Sequence, residues 1–270
     1  MRNTKKYLSV FAMLARGSIF RVLAVLVLMA AGQYGQFMHR LNNELLLYAS
    51  DGGQSHVFSR IEELINISTV EMTFAAAFLL ICVFLCLPGC GYSARCGYTL
   101  RRLNISERAV FVLQVICNAA VFVLLWAAET AVCLLLCRIY VSSVPPSLVS
   151  HQTMAIAFYR SPFLHSLLPL ADIAVWIRNF VMIAVLSLAA ASFPYKQRHG
   201  KFAADIVSYA LLCIVFFKST VGDGFSAFVL IFCGLFIAAE VIYNVWMKED
   251  EDGDEIKKEA NVREQYPYPR

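Results

Sequence analysis

Three ionisable residues lie inside strongly apolar stretches of this sequence, where a charge is costly. Glu129 is the deepest carboxylate, and Asp172 and Arg178 lie close together in a later apolar stretch. A charge at the centre of a bilayer costs about 2.5–3.5 kcal/mol on insertion scales, so each residue marks a candidate functional position. Two interpretations stay open. The residues line a substrate path, or Glu129 pairs with a basic group such as Arg178 and holds helices together.

The sequence contains no motif for hydrolytic chemistry. It lacks the phosphate-binding G-x-x-x-x-G-K-[ST], the zinc motif H-E-x-x-H and the nucleophile elbow G-x-S-x-G. Gly224-Phe225-Ser226-Ala227 faintly resembles an intramembrane serine protease site, but no histidine on a following apolar stretch could act as its base. We therefore predict that the chain is not an enzyme and that any ATP hydrolysis takes place in a partner subunit.

The cysteines follow the apolar pattern rather than a pattern of metal ligands. There are nine, an odd number, and only Cys96 lies in a polar stretch. Cys82, Cys86 and Cys90 recur at every fourth residue along one apolar segment. Free cysteine is among the most frequently buried residue types, so this spacing favours small buried side chains over disulfides or a metal site. We expect no metal and no cofactor.

Residues 91–108 form a basic interruption between two apolar segments. The stretch reads GYSARCGYTLRRLNISER and contains four arginines and no lysine. Its last residues place Asn104 and Ser106 directly before an apolar run, as at the start of a capped helix. The arginine side chains could form forked pairs with the carboxylates of a partner. The alternative is that they only fix the topology of the chain.

Composition places the chain in a membrane. Of its 270 residues, 59% are hydrophobic and 16% are charged, whereas soluble domains have about 45–50% and about 25%. We predict an all-α, polytopic membrane protein with an amphipathic interfacial helix over residues 1–17, a transmembrane domain over 18–247 and a charged, disordered tail over 248–270. Six spans are expected, at about 19–38, 69–87, 109–140, 169–193, 202–217 and 225–247.

The distribution of Lys and Arg predicts the orientation. With the N-terminus in the cytoplasm, about twelve basic residues fall on the inner side and about five on the outer side. An even number of spans then puts both termini in the cytoplasm, together with residues 91–108. The expected location is the plasma membrane. The outer connection contains an apolar stretch, 161–169, that dips back into the membrane or forms a cap over the external mouth, or else is a plain interfacial loop.

These features together resemble the permease subunits of type-two ABC transporters. The resemblance rests on six spans with both ends inside, a basic interfacial helix before the first span, and Tyr98-Thr99-Leu100-Arg101-Arg102-Leu103-Asn104-Ile105-Ser106 between the second and third spans. In that family this loop forms a coupling helix that sits in a groove of a separate ATPase subunit, and two permease subunits enclose the substrate path. The resemblance implies ATPase contacts at Arg101, Arg102, Asn104, Ser106, Glu107 and Arg108.

The resemblance also implies partners: an ABC ATPase subunit, a second permease subunit in a homodimer or heterodimer, and the lipid bilayer, with no nucleic acid. It favours export. One departure concerns the turn between the last two spans, which is only a few residues long where many members carry a large outer insertion. Two other functions stay open, namely a stand-alone secondary transporter or channel that uses Glu129 and Asp172, and a membrane scaffold or sensor subunit.

Overall fold

The computed structural model describes residues 2–50, 58–87, 106–145, 149–150, 152–198, 204–218, 220 and 222–265. Within these ranges every regular element is an α-helix. In chain order the helices are α1 (Arg2–Ser50), α2 (Ile61–Ile67), α3 (Val70–Cys86), α4 (Glu107–Ser143), α5 (Thr153–Arg160), α6 (Pro162–Leu167), α7 (Ile173–Arg198), α8 (Asp205–Phe216) and α9 (Gly224–Gln265). The predicted all-α fold is confirmed for the part of the chain described.

Four of these helices are long and apolar enough to cross a bilayer. The spans cover Ala15–Ser50, Arg108–Ser143, Ile173–Gln197 and Gly224–Trp246. Helices α2 and α3 meet at a bend of 52° and count as a fifth candidate if they are taken as one broken span. The chain therefore has the helices of a multi-pass membrane protein, with four to five candidate spans.

The fifth predicted span, at about 202–217, corresponds to α8, which has only 12 residues. At about 1.5 Å per residue it is about 18 Å long, well short of the roughly 30 Å of a hydrocarbon core. Two predicted boundaries also differ. Helix α1 continues without a break from Arg2 to Ser50, so residues 1–17 are not a separate helix, and α9 extends to Gln265 instead of ending at residue 247.

Two clusters of buried side chains define the two ends of the bundle. At one end, here called the Tyr140 end, α1, α2, α4, α5 and α6 meet around Leu41, Leu64 and Tyr140. At the other, the Tyr195 end, α4, α7 and α9 meet around Phe111, Tyr195 and Val245. Helix α4 begins at the Tyr195 end and finishes at the Tyr140 end, so it runs the length of the bundle.

A third and larger core joins the helices between these ends. Side chains of α1, α3, α4, α7, α8 and α9 contribute to it, including Ile81 and Leu186. Helices α8 and α9 approach closely there, because a Cβ at Gly234 would lie 2.6 Å from the hydroxyl of Tyr209. Many large apolar side chains instead point outward, among them Phe232 at 63% exposure. Outward apolar surface on this scale is what lipid contact requires.

The short helices at the Tyr140 end form a lid of buried side chains. Phe163, Leu164 and Leu167 of α6 are 4% exposed or less. Ser161 caps α6, where its Oγ accepts a hydrogen bond from the Leu164 amide at 3.4 Å, and proline occupies the first turn. Residues 162–167 thus form a short buried helix, and its position relative to the membrane and the outer side stays a prediction.

Candidate binding pocket and its polar frame

A pocket that is open on one side lies inside the helix bundle. Its walls come from α3, α4, α6, α7 and α8. Aromatic rings dominate the lining: Phe74, Phe78, Phe122, Trp126, Phe163 and Phe217. Apolar walls and a position between helices are typical of sites for small molecules.

Helical periodicity explains how these rings converge. Phe74 and Phe78 are four residues apart on α3, and Phe122 and Trp126 have the same spacing on α4. Residues at i and i+4 lie on one face of a helix, so each pair presents two rings to the same space. The centroids of Phe78 and Phe122 are 6.2 Å apart, which joins the α3 and α4 walls directly.

The polar side chains of the pocket wall already have partners within the protein. Asn179 Nδ2 donates to the Ser166 carbonyl at 2.8 Å, and its Oδ1 accepts from Arg178 Nε at 3.2 Å and Nη2 at 3.0 Å. The indole nitrogen of Trp126 donates to the Leu167 carbonyl at 2.8 Å. These groups shape the wall, and their hydrogen bonds are used before any ligand arrives.

Arg178 lies fully buried beside the pocket and holds α7 to the end of α8. Its Nη1 donates to the Phe217 carbonyl at 3.1 Å, and its guanidinium carbon lies 5.5 Å from the centre of the Phe217 ring. The ring face attracts the cation. Arg178 therefore fixes the position of a side chain, Phe217, that lines the pocket.

An ion pair lies at the rim of the pocket. Glu71 lines the pocket, and its Oε2 is 2.7 Å from Lys218 Nζ. The side chains are 28% and 49% exposed, so this pair is screened more than a buried one. It joins the start of α3 to the segment that follows α8.

Glu129 is completely buried, but it does not pair with Arg178. Its oxygens accept hydrogen bonds from Gln33 Nε2 at 3.0 Å and 2.9 Å, and the Cys133 thiol is 3.7 Å away. The same Gln33 nitrogen donates to the Val70 carbonyl at 3.2 Å. The expected Glu129–Arg178 pair is thus wrong, because each side chain is committed to different neighbours.

Asp172 has a local role at the start of α7. Its Oδ1 accepts a hydrogen bond from the Ala174 amide at 3.0 Å, and its carbonyl accepts one from the Trp176 amide at 3.3 Å. A carboxylate at this position satisfies an unpaired donor and favours the positive end of the helix dipole. The three predicted intramembrane residues therefore do not converge on one site.

The predicted ATPase contact is only partly within the described residues. Arg101, Arg102 and Asn104 lie outside them, as does the side chain of Glu107. Ser106 is the N-cap of α4, and its Oγ accepts from the Ala109 amide at 3.4 Å, which confirms the predicted helix start. Arg108 Nη2 donates to the Trp246 carbonyl at 3.0 Å and so joins α4 to α9.

The cysteines of the described region are buried or half-buried in the bundle, as predicted. Fully buried positions include Cys82, Cys133 and Cys213, and Cys213 lines the pocket. Ser226 is also buried, and its hydroxyl has no hydrogen-bond partner among the described residues. It therefore has no neighbouring base there to activate it.

Sequence reasoning overlooked Gln33 and Asn179, which hold the side chains of Glu129 and Arg178 in place. The signal was present, since both are amide side chains inside long apolar helices. The pocket itself had no such signal, because its residues come from five helices whose relative rotation the sequence does not state. No family model matches this chain, and no curated protein or solved structure matches it.

Proposed function

We propose that this chain is a membrane-spanning permease subunit that takes a lipophilic molecule into its helix bundle and is driven by a separate ATPase subunit. The observation that carries the proposal is the pocket lined by aromatic and aliphatic side chains between α3, α4, α6, α7 and α8. Apolar and aromatic walls between helices are typical of sites that bind lipophilic molecules.

The bonding of the pocket wall selects for an apolar substrate. Asn179 and Trp126 spend their hydrogen bonds on Arg178, Ser166 and Leu167, so they offer little to a polar ligand. A polar molecule would give up its hydrogen bonds to water and find no equivalent partners in the pocket, which costs about 1–3 kcal/mol for each unpaired polar group. An apolar ligand would instead gain about 25 cal/mol for each Å² that it buries.

The ATPase partner is proposed from the sequence and from the position of α4. The chain has no nucleotide-binding motif, and Arg101 and Arg102 lie in a basic loop that leads directly into Ser106 and α4. Helix α4 also carries Phe122 and Trp126 of the pocket. A displacement of the loop would therefore be transmitted along a continuous helix to the pocket wall.

The proposed topology has six spans, with α8 as the fifth, and both termini in the cytoplasm. Basic residues favour this orientation, in which residues 91–108 face the cytoplasm at the Tyr195 end. A second permease subunit, identical or different, would complete the substrate path. The plasma membrane is the proposed location, and export is the direction that the family resemblance favours.

Co-purification with an ATPase tests the coupling. The full-length protein is expected to bring down a nucleotide-binding subunit from its native membrane, and transport by the complex should require ATP. Changing Arg101→Ala together with Arg102→Ala should separate ATP hydrolysis from transport while insertion is normal. Arg198→Ala, on another proposed cytoplasmic turn, is the control. Coupled transport that survives the double change, or transport without an ATPase, would refute this function.

Ligand binding tests the pocket separately. A fluorescent fatty-acid analogue should quench the emission of Trp126, which lines the pocket. Ala75→Trp should reduce binding at least tenfold, because Ala75 lines the pocket and the larger ring would fill it. Ala76→Trp is the matched control, since the neighbouring side chain is exposed. Equal binding by both variants would place the probe outside the pocket.

A stand-alone secondary transporter is the second candidate, favoured by the burial of Glu129 away from Arg178. Asp172 does not support it, because its carboxylate caps α7. Proteoliposomes that contain only this chain distinguish the two functions. Uptake driven by an ion gradient without any ATPase would support the second candidate and contradict the first.

A further inference from the structure

The carboxyl group of Glu129 has too few hydrogen-bond donors for a buried anion. Its residue exposure is 0%, and it lies in the middle of α4. Gln33 Nε2 carries two hydrogens and has three acceptors in reach: the Val70 carbonyl and both oxygens of Glu129. An ionised carboxylate offers about four acceptor sites, and the remaining neighbour, the Cys133 thiol, is a weak donor at 3.7 Å.

The basic side chains that could balance this charge are engaged elsewhere. Arg178 binds Asn179 and Phe217, and three others pair with acidic residues: Lys218 with Glu71, Lys196 with Asp205 and Glu240, and Arg160 with Glu62. In the described ranges no basic side chain lies within 4.0 Å of the Glu129 carboxyl. The groups around the Glu129 carboxyl are the side-chain amide of Gln33 on α1, the backbone carbonyl of Val70 on α3 and the thiol of Cys133 on α4 itself.

One more atom at this site lacks a partner. Gln33 is 0% exposed, and its Oε1 has no hydrogen bond within the described structure. That oxygen and Nε2 belong to the same amide group. The amide therefore faces the Glu129 carboxyl group with its donor, Nε2, in use and its acceptor, Oε1, unused. A buried acceptor without a donor is unfavourable.

We propose that Glu129 is a proton-binding site and that its side chain is a neutral carboxylic acid at pH 7. One proton taken from water supplies the missing donor. A rotation of the Gln33 amide then lets Nε2 donate to one Glu129 oxygen while Oε1 accepts from the O–H of the other. An isolated carboxylate in an apolar interior would cost far more than any hydrogen bond recovers, so buried acids neutralise.

The proton site is one helical turn along α4 from a residue of the pocket wall. Trp126 is three residues before Glu129 on α4, and Val70, whose carbonyl binds Gln33, directly precedes Glu71 at the pocket rim. Release of the proton would place a negative charge next to an aromatic cavity. This inference follows from the contacts of Glu129 and does not depend on a partner ATPase.

Infrared spectroscopy of the full chain in lipid nanodiscs tests the proposal. At pH 7 the protein labelled with ¹³C-carboxyl glutamate should show the carbonyl stretch of a protonated carboxylic acid. Glu129→Gln should remove that band, while Glu71→Gln, at the pocket rim, should leave it in place. A spectrum without the band at pH 7, or a band that persists in Glu129→Gln, would overturn the proposal.

A second variant keeps the test decisive if Glu129→Gln does not fold. Gln33→Leu should shift the carbonyl band, because the acid loses its amide partner. Gln36→Leu is the matched control one turn further along α1, where Gln36 Oε1 accepts from Thr69 at 3.0 Å and not from Glu129. A band that moves equally in both variants, or in neither, would contradict the acid–amide pair.

Discussion

Single buried polar residues decide how the helices of this protein meet. Three nitrogen atoms of Arg178 donate hydrogen bonds to two acceptors, Asn179 Oδ1 and the Phe217 carbonyl. The planar guanidinium satisfies both at once, and no other side chain has donors in that geometry. Its hydrogen bonds in an apolar stretch therefore join α7 to the end of α8.

Changing Arg178→Lys should destabilise the protein by about 1–3 kcal/mol, because one ammonium group cannot reproduce the forked contacts and leaves a buried acceptor unpaired. Thermal unfolding in detergent measures the change. Arg160→Lys is the control, since Arg160 is 53% exposed and lies 3.8 Å from Glu62, and it should alter stability by less than about 0.5 kcal/mol. Equal effects would mean that the buried contacts do not matter.

His165 makes the stability of the α6 cap depend on pH. The residue is 2% exposed, both ring nitrogens lack a hydrogen-bond partner in the described structure, and Tyr159 packs against the ring. Burial lowers the pKa of His165 from its ordinary value, Asp172 opposes that shift and Arg178 adds to it. The folded cap thus favours the neutral ring.

Because its pKa is depressed in the fold, His165 should contribute full stability above the ordinary histidine pKa of about 6.5 and lose it as the pH falls. The unfolding temperature should drop between about pH 7.5 and 5 in the native protein. His165→Phe should flatten that dependence. His39→Phe, at an exposed site on α1, should retain it, and a native-like slope in His165→Phe would count against this role.

At the scale of elements, α8 is the helix whose position most needs explanation. Twelve residues form too short a helix to be held by lipid alone. Arg178 binds its C-terminal end through the Phe217 carbonyl, and Lys196 binds its first residue, Asp205, at the Tyr195 end. Contacts to α3, α7 and α9 fill its sides. Side-chain contacts at both ends thus compensate for its length.

Lys196→Met tests this arrangement. Lys196 is buried and joins α7 to Asp205 on α8 and to Glu240 on α9, the latter at 2.9 Å. Removing the ammonium leaves two carboxylates without their cation, and we expect a loss of about 2 kcal/mol after allowing for their partial exposure. Lys218→Met, in the exposed pair with Glu71, is the control and should cost less than about 1 kcal/mol. Chemical denaturation in detergent compares them.

At the scale of the whole molecule, the path of α8 fixes the topology. If α8 crosses with its flanking residues, the chain has six spans and both termini lie on one side. If α8 does not cross, the four long helices and the bent pair α2–α3 make five spans, and the termini lie on opposite sides. The positive-inside rule favours the first arrangement.

Tags at the two termini provide the measurement. In intact cells both an N-terminal and a C-terminal tag should be protected from external protease, and both should become accessible in inverted vesicles. A single tag exposed in intact cells would exclude six spans with cytoplasmic ends. A cysteine introduced at Asp223, between α8 and α9, should react with an impermeant thiol reagent added outside only in the six-span topology.

The sequence by itself determined the class of this molecule. The long apolar runs predicted helices, and each of the four described helices that are long enough to cross overlaps a predicted span, because hydrophobicity over about 20 residues is a local property. Ser106 was likewise identified as a helix start, since a cap depends on neighbours a few residues away. The burial of the cysteines followed from the same local periodicity.

Only the tertiary structure decided which residues meet. Glu129 and Arg178 looked like natural partners because their charges are opposite. The rotations of α1, α4 and α7 instead place Glu129 in hydrogen-bond contact with Gln33, and Arg178 with Asn179. The aromatic pocket arises in the same way, from faces of five helices. Hydropathy indicates which stretches can cross a bilayer, whereas packing between helices sets the rotation of each helix, and that rotation determines which side chains meet.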